Sequence, residues 1–328
     1  MSGMLALAFT CVSVAPARAE TTELRISQQP GLQYLSTLVI QQNFLIEKHA
    51  KALGIPNLKV KWITLTSGGI AMDSLLSGNL DMVTSGISNL LVGWSATGGQ
   101  VKGLAAVGAM PQYVVSKDPN VHTLKDFTSA DKIAVPTVRV SMQSTMLAMA
   151  ADKIYGDSDI HHFDPMTVAL GHPDAFIALQ SGGGSINAHF GSPPYQDEEI
   201  KLPGVHLVAN SYDIVGGPHS VTCVFTTTKF HDENPKVIRA FYAAMQEADE
   251  LIRTNHRTAA QIYLQQSHEK WPLDLILKEL DNKQYIFQEA PLRSMAFADI
   301  MYKGGTIKTK ANSWKDFFFQ EVWNQKGS

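Results

Sequence analysis

The sequence predicts an α/β protein of two lobes, each a mixed, mainly parallel sheet flanked by helices, joined by a two-crossing hinge. Three observations lead there. A strand–turn–helix–strand–turn–helix unit spans 62–96, and a unit of the same shape returns at 166–196. The chain opens with a strand at 23–27, a helix at 35–53 and a strand at 58–65, the crossover that a parallel sheet requires. The stretch 110–115 follows a strand with no helix between, and 219–227 is strongly β-prone; these read as the passages into the second lobe and back. The expected division is a signal segment over 1–19, a first lobe over 20–112 and 222–328, and a second lobe over 113–221.

Each element has its own signal. The first helix carries Leu38, Val39, Gln42, Leu45, Ile46 and His49 at helical spacing and stops at Gly54 before Pro56. Trp62-Ile63-Thr64-Leu65 is a β-prone run broken by Thr66-Ser67-Gly68-Gly69. A helix over 70–77 follows and ends at Gly78-Asn79. The strand over 81–84 leads through Ser85-Gly86-Ile87-Ser88 into a helix over 88–96, and another strand covers 101–109. In the second lobe come a short helical turn at 123–127, a strand at 132–136, a loop at 137–144 and a helix at 145–155 closed by Gly156. The repeated unit then gives a strand at 166–170, a turn at Gly171-His172-Pro173, a helix at 174–180 ended by Gly182, and a strand at 185–189. Leu76-Ser77-Gly78 in one unit matches Gln180-Ser181-Gly182 in the other. A strand at 205–209 and a sharp turn at Gly216-Gly217-Pro218 precede the return. Asn234 before Pro235 reads as a helix cap, with Val237, Phe241, Met245 and Ile252 on the buried face. Helices follow at 258–266, 272–281 and 293–302. The aromatic stretch 313–324, with Trp314, Phe317, Phe318 and Trp323, is expected to pack on the first lobe, because so large an exposed apolar patch is rare.

At 328 residues the chain holds two ordinary domains, and 45% hydrophobic against 17% charged residues describes a folded soluble protein. A net charge of −3 gives no overall attraction to nucleic acid or anionic membrane. The apolar run 4–14 followed by Ala17-Arg18-Ala19 reads as a secretory signal cut before Glu20. Its positive leader is missing, which suggests a start further upstream, and the competing reading is a buried N-terminal helix. Cys11 lacks a lipoprotein context, so a free soluble protein rather than a lipid-anchored one is expected. Beyond the signal Cys223 is the one cysteine, which excludes an internal disulfide and a cysteine-rich metal site. No later stretch is long and apolar enough to span a bilayer.

The ligand crevice of such sheets lies at the carboxyl ends of the strands, where helices begin and direct N–H groups and positive dipole ends. The turns that fall there supply the candidate binding residues. They are Gln33 and Tyr34 at the first helix; Ser67, Gly68 and Gly69 after the second strand; and Ser85, Ile87 and Ser88 after the third. In the second lobe they are Arg139, Ser141, Gln143 and Ser144 before a helix, and His189, Gly191, Ser192 and Tyr195 after a strand, with His219 at the hinge. Every hydroxyl here also suits a helix N-cap. Arg139 is either a bidentate partner for an anion or an exposed loop residue. His189 is either a ligand contact or a satisfied core residue, and Tyr34 and Tyr195 either stack on a ligand or form lobe surface. The adjacent His161 and His162 point to different faces of any regular element, so no metal site is expected. Gly182 to Gly184 read as a helix stop rather than a dinucleotide loop. No catalytic motif and no cofactor site stand out.

The segment 24–31, the Gly68-Gly69-Ile70-Ala71 turn, the run Leu75-Leu76-Ser77-Gly78-Asn79-Leu80-Asp81 and the Ser85-Gly86 turn resemble the sulfonate/nitrate/taurine type of periplasmic substrate-binding protein. The resemblance covers most of the mature chain, and Leu-x-x-Gly-x-x-Asp is its most recognisable piece. It implies a type II periplasmic binding-protein fold, a ligand pocket at the turns above, and delivery of a small molecule to an ABC permease and its ATPase by a monomer with no role for nucleic acid. The expected ligand is a small organic anion, such as a sulfonate or an aromatic or aliphatic carboxylate. Helix N–H groups, hydroxyls and Arg139 would hold its head, and Leu32, Tyr34, Trp94 or Tyr195 would cover its apolar part. Two other functions stay open. One is an enzyme on the same scaffold, desulfinase-like or pyrimidine-precursor synthase-like, with His189 or His219 as base. The cysteine signature of the synthase branch and the first-lobe cysteine of the desulfinases are absent; Cys223, in the return strand, reads as core, and would favour this function if it lay open to the cleft within reach of His219. The other is a ligand sensor docking on a membrane receptor.

Overall fold

The computed structural model describes residues 20–65 and 67–328; the expected signal segment and Thr66 lie outside them. Ten strands make two five-stranded sheets. The first holds β1 (Glu23–Gln28), β2 (Lys59–Thr64), β3 (Met82–Gly86), β4 (Val101–Ala109) and β10 (Ser220–Thr227), in the order β2-β1-β3-β10-β4. The second holds β5 (Tyr113–Ser116), β6 (Ile133–Val135), β7 (Thr167–Ala169), β8 (Ala188–Phe190) and β9 (His206–Asn210), in the order β7-β6-β8-β5-β9.

The two orders are the same motif. In each, β-α-β-α-β builds the first three positions with parallel pairs: β1 to β2 and β3, and β6 to β7 and β8. The fourth position is an antiparallel strand that has just crossed from the other sheet, β10 in the first and β5 in the second. Four strands of each sheet therefore run one way and one runs against them. The repeat read between 62–96 and 166–196 is this equivalence, with β2 and β3 matching β7 and β8. Continuous burial along β10, at all but its last position, is what a strand covered on both faces requires.

Several boundaries differ from the expectation for local reasons. The first helix is two, Leu35–Gln42 and Leu45–Ala52, because Asn43 turns its amide onto the Val39 carbonyl and Phe44 adopts a left-handed conformation. The helix expected from 145 starts at Met142, since the Ser141 hydroxyl caps the Ser144 N–H at 3.3 Å. β8 begins three residues late because Asn187 is spent on Lys132 and Asp131. A short helix, Ser211–Val215, follows β9 where none was expected. Asn234 holds the expected N-cap position before Pro235, but its side chain makes no cap bond to the helix Pro235–Thr254 and instead pairs with Phe230 and Thr21. The cap is the Glu20 carboxylate, which accepts from Lys236 and Val237 N–H at 2.8 and 2.9 Å. A negative group at the positive end of a helix is the favourable arrangement.

The aromatic C-terminal stretch lies along β4, where Gly103 donates to the Phe317 carbonyl and accepts from Phe319 N–H. A side chain at 103 would meet the Phe318 ring at 2.5 Å, so only glycine admits this contact. The lobes also touch directly. Ser88 of helix Ile87–Ala96 meets Thr145 of helix Met142–Tyr155 at 2.9 Å, and Leu32 N–H donates to the Pro193 carbonyl at 3.0 Å. Among the described residues no helix is long and apolar enough to cross a membrane.

Candidate functional site

Four helices start at one cavity between the sheets. Helices Gly68–Leu76 and Ile87–Ala96 come from the first sheet, and Met142–Tyr155 and His172–Ser181 from the second. The first N–H groups of a helix have no partner within it. Here Gly86 and Gly171 stand at two of the N-caps and offer no side-chain acceptor, so those first turns stay open. The cavity holds about 160 Å³, and Gln29, Gln33, Asn89, Gln112 and Gln143 supply five carboxamides to its wall. Among the described residues lining it there is no lysine or arginine; the one carboxylate, Asp174, sits at an exposed edge.

The first-lobe wall is tightly wired. Ser85 Oγ accepts from Gln29 Nε2 at 2.9 Å and from Asn89 Nδ2 at 3.0 Å, leaving its own O–H to donate. Gly68 lies over this group, and a Cβ there would sit 2.3 Å from both Asn89 Nδ2 and Ser85 Oγ. Tyr34 is buried beside it, and burial pushes its phenol above the ordinary range, so the group stays neutral.

The second-lobe wall rests on a buried chain of polar groups. Glu199 Oε1 accepts from His189 Nδ1 at 2.7 Å, which leaves His189 Nε2 to accept from His172 Nδ1 at 3.0 Å. His172 Nε2 then faces Gln143 Nε2 at 3.4 Å, and Gln143 Nε2 reaches Gln112 Oε1 at 3.3 Å. Burial, helped by the neighbouring His189, holds His172 well below the usual imidazole value and keeps it uncharged. The chain ends at Gln112 Nε2, a buried donor at the cavity wall with no partner. A buried unpaired N–H costs about 1–3 kcal/mol, a deficit that a ligand acceptor removes.

Of the seventeen candidate residues, Gln33, Tyr34, Gly68, Ser85, Ser141 and Gln143 line the cavity. Ser67 and Gly69 stand just outside it, Ser67 capping its helix. Ile87 is core, Ser88 bonds Thr145, and Ser144 donates to the Thr137 carbonyl. Ser192 donates to Gln33 Oε1 across the lobes, and Gly191 packs on Gln196. Four more candidates lie away from the cavity wall. Arg139 sits in a left-handed turn that aims its side chain outward to Asp164 at 2.8 Å, so it brings no charge to the cavity. His189 lies behind the wall as a support. Tyr195 bonds Glu269 beside a neighbouring groove rather than in the cavity. His219 braces the hinge through Ser211 at 3.0 Å, and burial lowers it to about 4. Leu32 is core and Trp94 packs on Phe317, so neither covers a ligand. His161 and His162 pair separately with Asp164 and Asp159, and no group of three metal-ligating side chains exists among the described residues.

Residues that the turns did not single out complete the wall. Asn89 was signalled by its place four residues after Ser85, and His172 by its position in the second unit's turn. Gln29, Gln112 and Thr222 lie on a loop and the two crossings, where no periodicity marks them.

No family model matches the chain, and no curated protein matches it. Solved structures do. The alkanesulfonate-binding protein SsuA from Xanthomonas axonopodis pv. citri, bound to MOPS, has a TM-score of 0.69 at 19% identity, covering 89% of this chain and 96% of that one. This chain has the fold of a periplasmic binding protein. The aliphatic sulphonate binding protein SsuA from Escherichia coli gives 0.66 at 18% identity, with 92% and 93% covered. The nitrate-binding protein NrtA from Synechocystis PCC 6803 gives 0.69 at 14% identity, with 93% and 88% covered. The binding-protein fold accounts for the paired sheets and the strands that exchange between them.

Proposed function

We propose that this protein is the solute-binding component of an ABC importer, exported by its 1–19 segment to the periplasm as a monomer. It captures a small organic anion, a sulfonate or carboxylate, between its lobes and delivers it to the permease and ATPase. The lobes divide at 112/113 and 221/222, and closure turns on these two connections. One observation carries the reading: four helix N-termini and the unpartnered Gln112 Nε2 converge on one cavity free of lysine and arginine. Such a site holds an anionic head by oriented N–H groups and dipoles. The fold shared with sulfonate- and nitrate-binding proteins supports the same class of ligand.

Cys223 open to the cleft beside His219 would have favoured the enzyme reading. Its thiol is instead buried in β10, donating to the Ser85 carbonyl at 3.7 Å, and burial pushes it far above the ordinary thiol range. Titration calorimetry on the mature chain with short sulfonates and carboxylates tests the proposal. Saturable one-to-one binding that Gln112→Leu weakens about tenfold is expected, since the lost bond is to a charged acceptor. No binding across the panel, or turnover of any member, refutes it.

A further inference from the structure

Beside the cavity lies a second, larger space of about 610 Å³. The two share Gln29, Pro30 and Pro173 in their walls, so they are adjoining chambers. Their chemistry differs. The inner chamber carries five carboxamides in its wall, and at about 160 Å³ it falls below the roughly 300–1,000 Å³ of pockets that enclose a whole drug-sized ligand. The outer one is walled by Phe176 and Ile177 of helix His172–Ser181, by Tyr195, and by Trp271. Trp271 stands nearly perpendicular to both Phe176 and Tyr195, at centroid distances of 5.5 and 5.6 Å. Ile177 is 60% exposed, a large apolar side chain left uncovered at this wall.

The aromatic wall is fixed rather than loose. Glu269 accepts from Tyr195 of the second lobe and from Tyr263 and Trp271 of the C-terminal region, so one carboxylate sets all three rings. His268 takes a left-handed conformation that lets the chain turn out of helix His256–Ser267 and present this strap.

We infer that the outer groove is a second subsite that takes an aryl body attached to the head group bound in the inner cavity. The inference rests on the anion-binding reading and narrows it to aryl-bearing sulfonates or carboxylates. Continuity with the inner cavity names the occupant: a ligand whose head is seated there extends into the groove past Pro30 and Pro173. The perpendicular ring pairs name its chemistry, because aromatic edges and faces at these distances favour a further ring over an alkyl chain of equal size.

Calorimetry with three probes tests it: methanesulfonate, octanesulfonate and phenylethanesulfonate, the last two equal in carbon number, with phenylpropanoate as the carboxylate counterpart. The wild type is expected to bind phenylethanesulfonate at least tenfold more tightly than methanesulfonate, and about two- to tenfold more tightly than octanesulfonate. Trp271→Ala should abolish the aryl advantage while leaving methanesulfonate affinity unchanged. Ile177→Ser, at an exposed helix position, should reduce it about threefold. An aryl probe no tighter than methanesulfonate, an octyl probe equal to the aryl one, or variants that keep the full advantage would each overturn the second subsite. Ligand-dependent dimers in light scattering would assign the groove to a second copy and overturn it too. If none of the four probes binds, the anion reading itself falls.

Discussion

Replacing Asp249 by Asn should change how stability depends on pH. Asp249 is fully buried in helix Pro235–Thr254; Oδ1 accepts from Ser36 Oγ at 2.6 Å and Oδ2 has no partner. Burial raises its carboxyl from 3.8 to about 7. Between those values the unfolded chain has released a proton that the folded protein keeps, so stability falls as pH rises through the window and stays reduced above it. At 1.36 kcal/mol per pH unit the loss is about 4 kcal/mol. Asn cannot ionise, but its amide hydrogens occupy the site of the unpartnered oxygen at a pH-independent cost of about 1–3 kcal/mol. The variant should therefore be the less stable protein near pH 4, where the wild type has lost little, and the more stable one near pH 8.5. At about 2 °C per kcal/mol, the difference in Tm between the two proteins should swing by about 8 °C. Asp197, raised to about 7 by burial and by the nearby Glu279, titrates in the same window but equally in both proteins, so the difference isolates Asp249. Parallel Tm–pH curves by differential scanning fluorimetry would refute the reasoning.

Two further substitutions probe the site and the frame. Gly68→Ala drives a methyl group into Ser85 and Asn89; it should lower stability by about 1–3 kcal/mol in denaturant titration and weaken binding of any short sulfonate that the wild type takes, and unchanged values in both would contradict the described wall. Glu20→Ala removes the cap of helix Pro235–Thr254 and should lower stability by about 0.5–2 kcal/mol, whereas Asn234→Ala should leave the cap intact.

The fold was legible because its determinants are local and repeated. Strand, turn and helix alternate with the right periods, and Gly78 and Gly182 stop equivalent helices in the two units. The site was legible only where backbone decides it. Gly68, Ser85 and Ser141 could be named because the end of a strand and the start of a helix fix their place. Arg139, His189, Tyr195 and His219 sit close by in sequence, yet their side chains answer to distant partners: Asp164, Glu199, Glu269 and Ser211. Gln112 was hidden for the opposite reason. It lies on a crossing without periodicity, and its role comes from a chain of polar contacts that runs through three other elements to Glu199. The break at Phe44 escaped because apolar spacing continues across it while the backbone does not.

The exchange of strands sets an order of assembly. β5 pairs with β8 and β9, so every partner in the second sheet lies within 113–210 and that half can close on itself. Among the described strands of the first sheet β4 pairs with β10 alone, more than a hundred residues further along. Until Ser220–Thr227 has emerged, β4 has no strand to pair with, and loop closure over that span must precede that pairing. The inserted half should mature first during synthesis or translocation, with the outer half held open as a late-folding frame that closes around it.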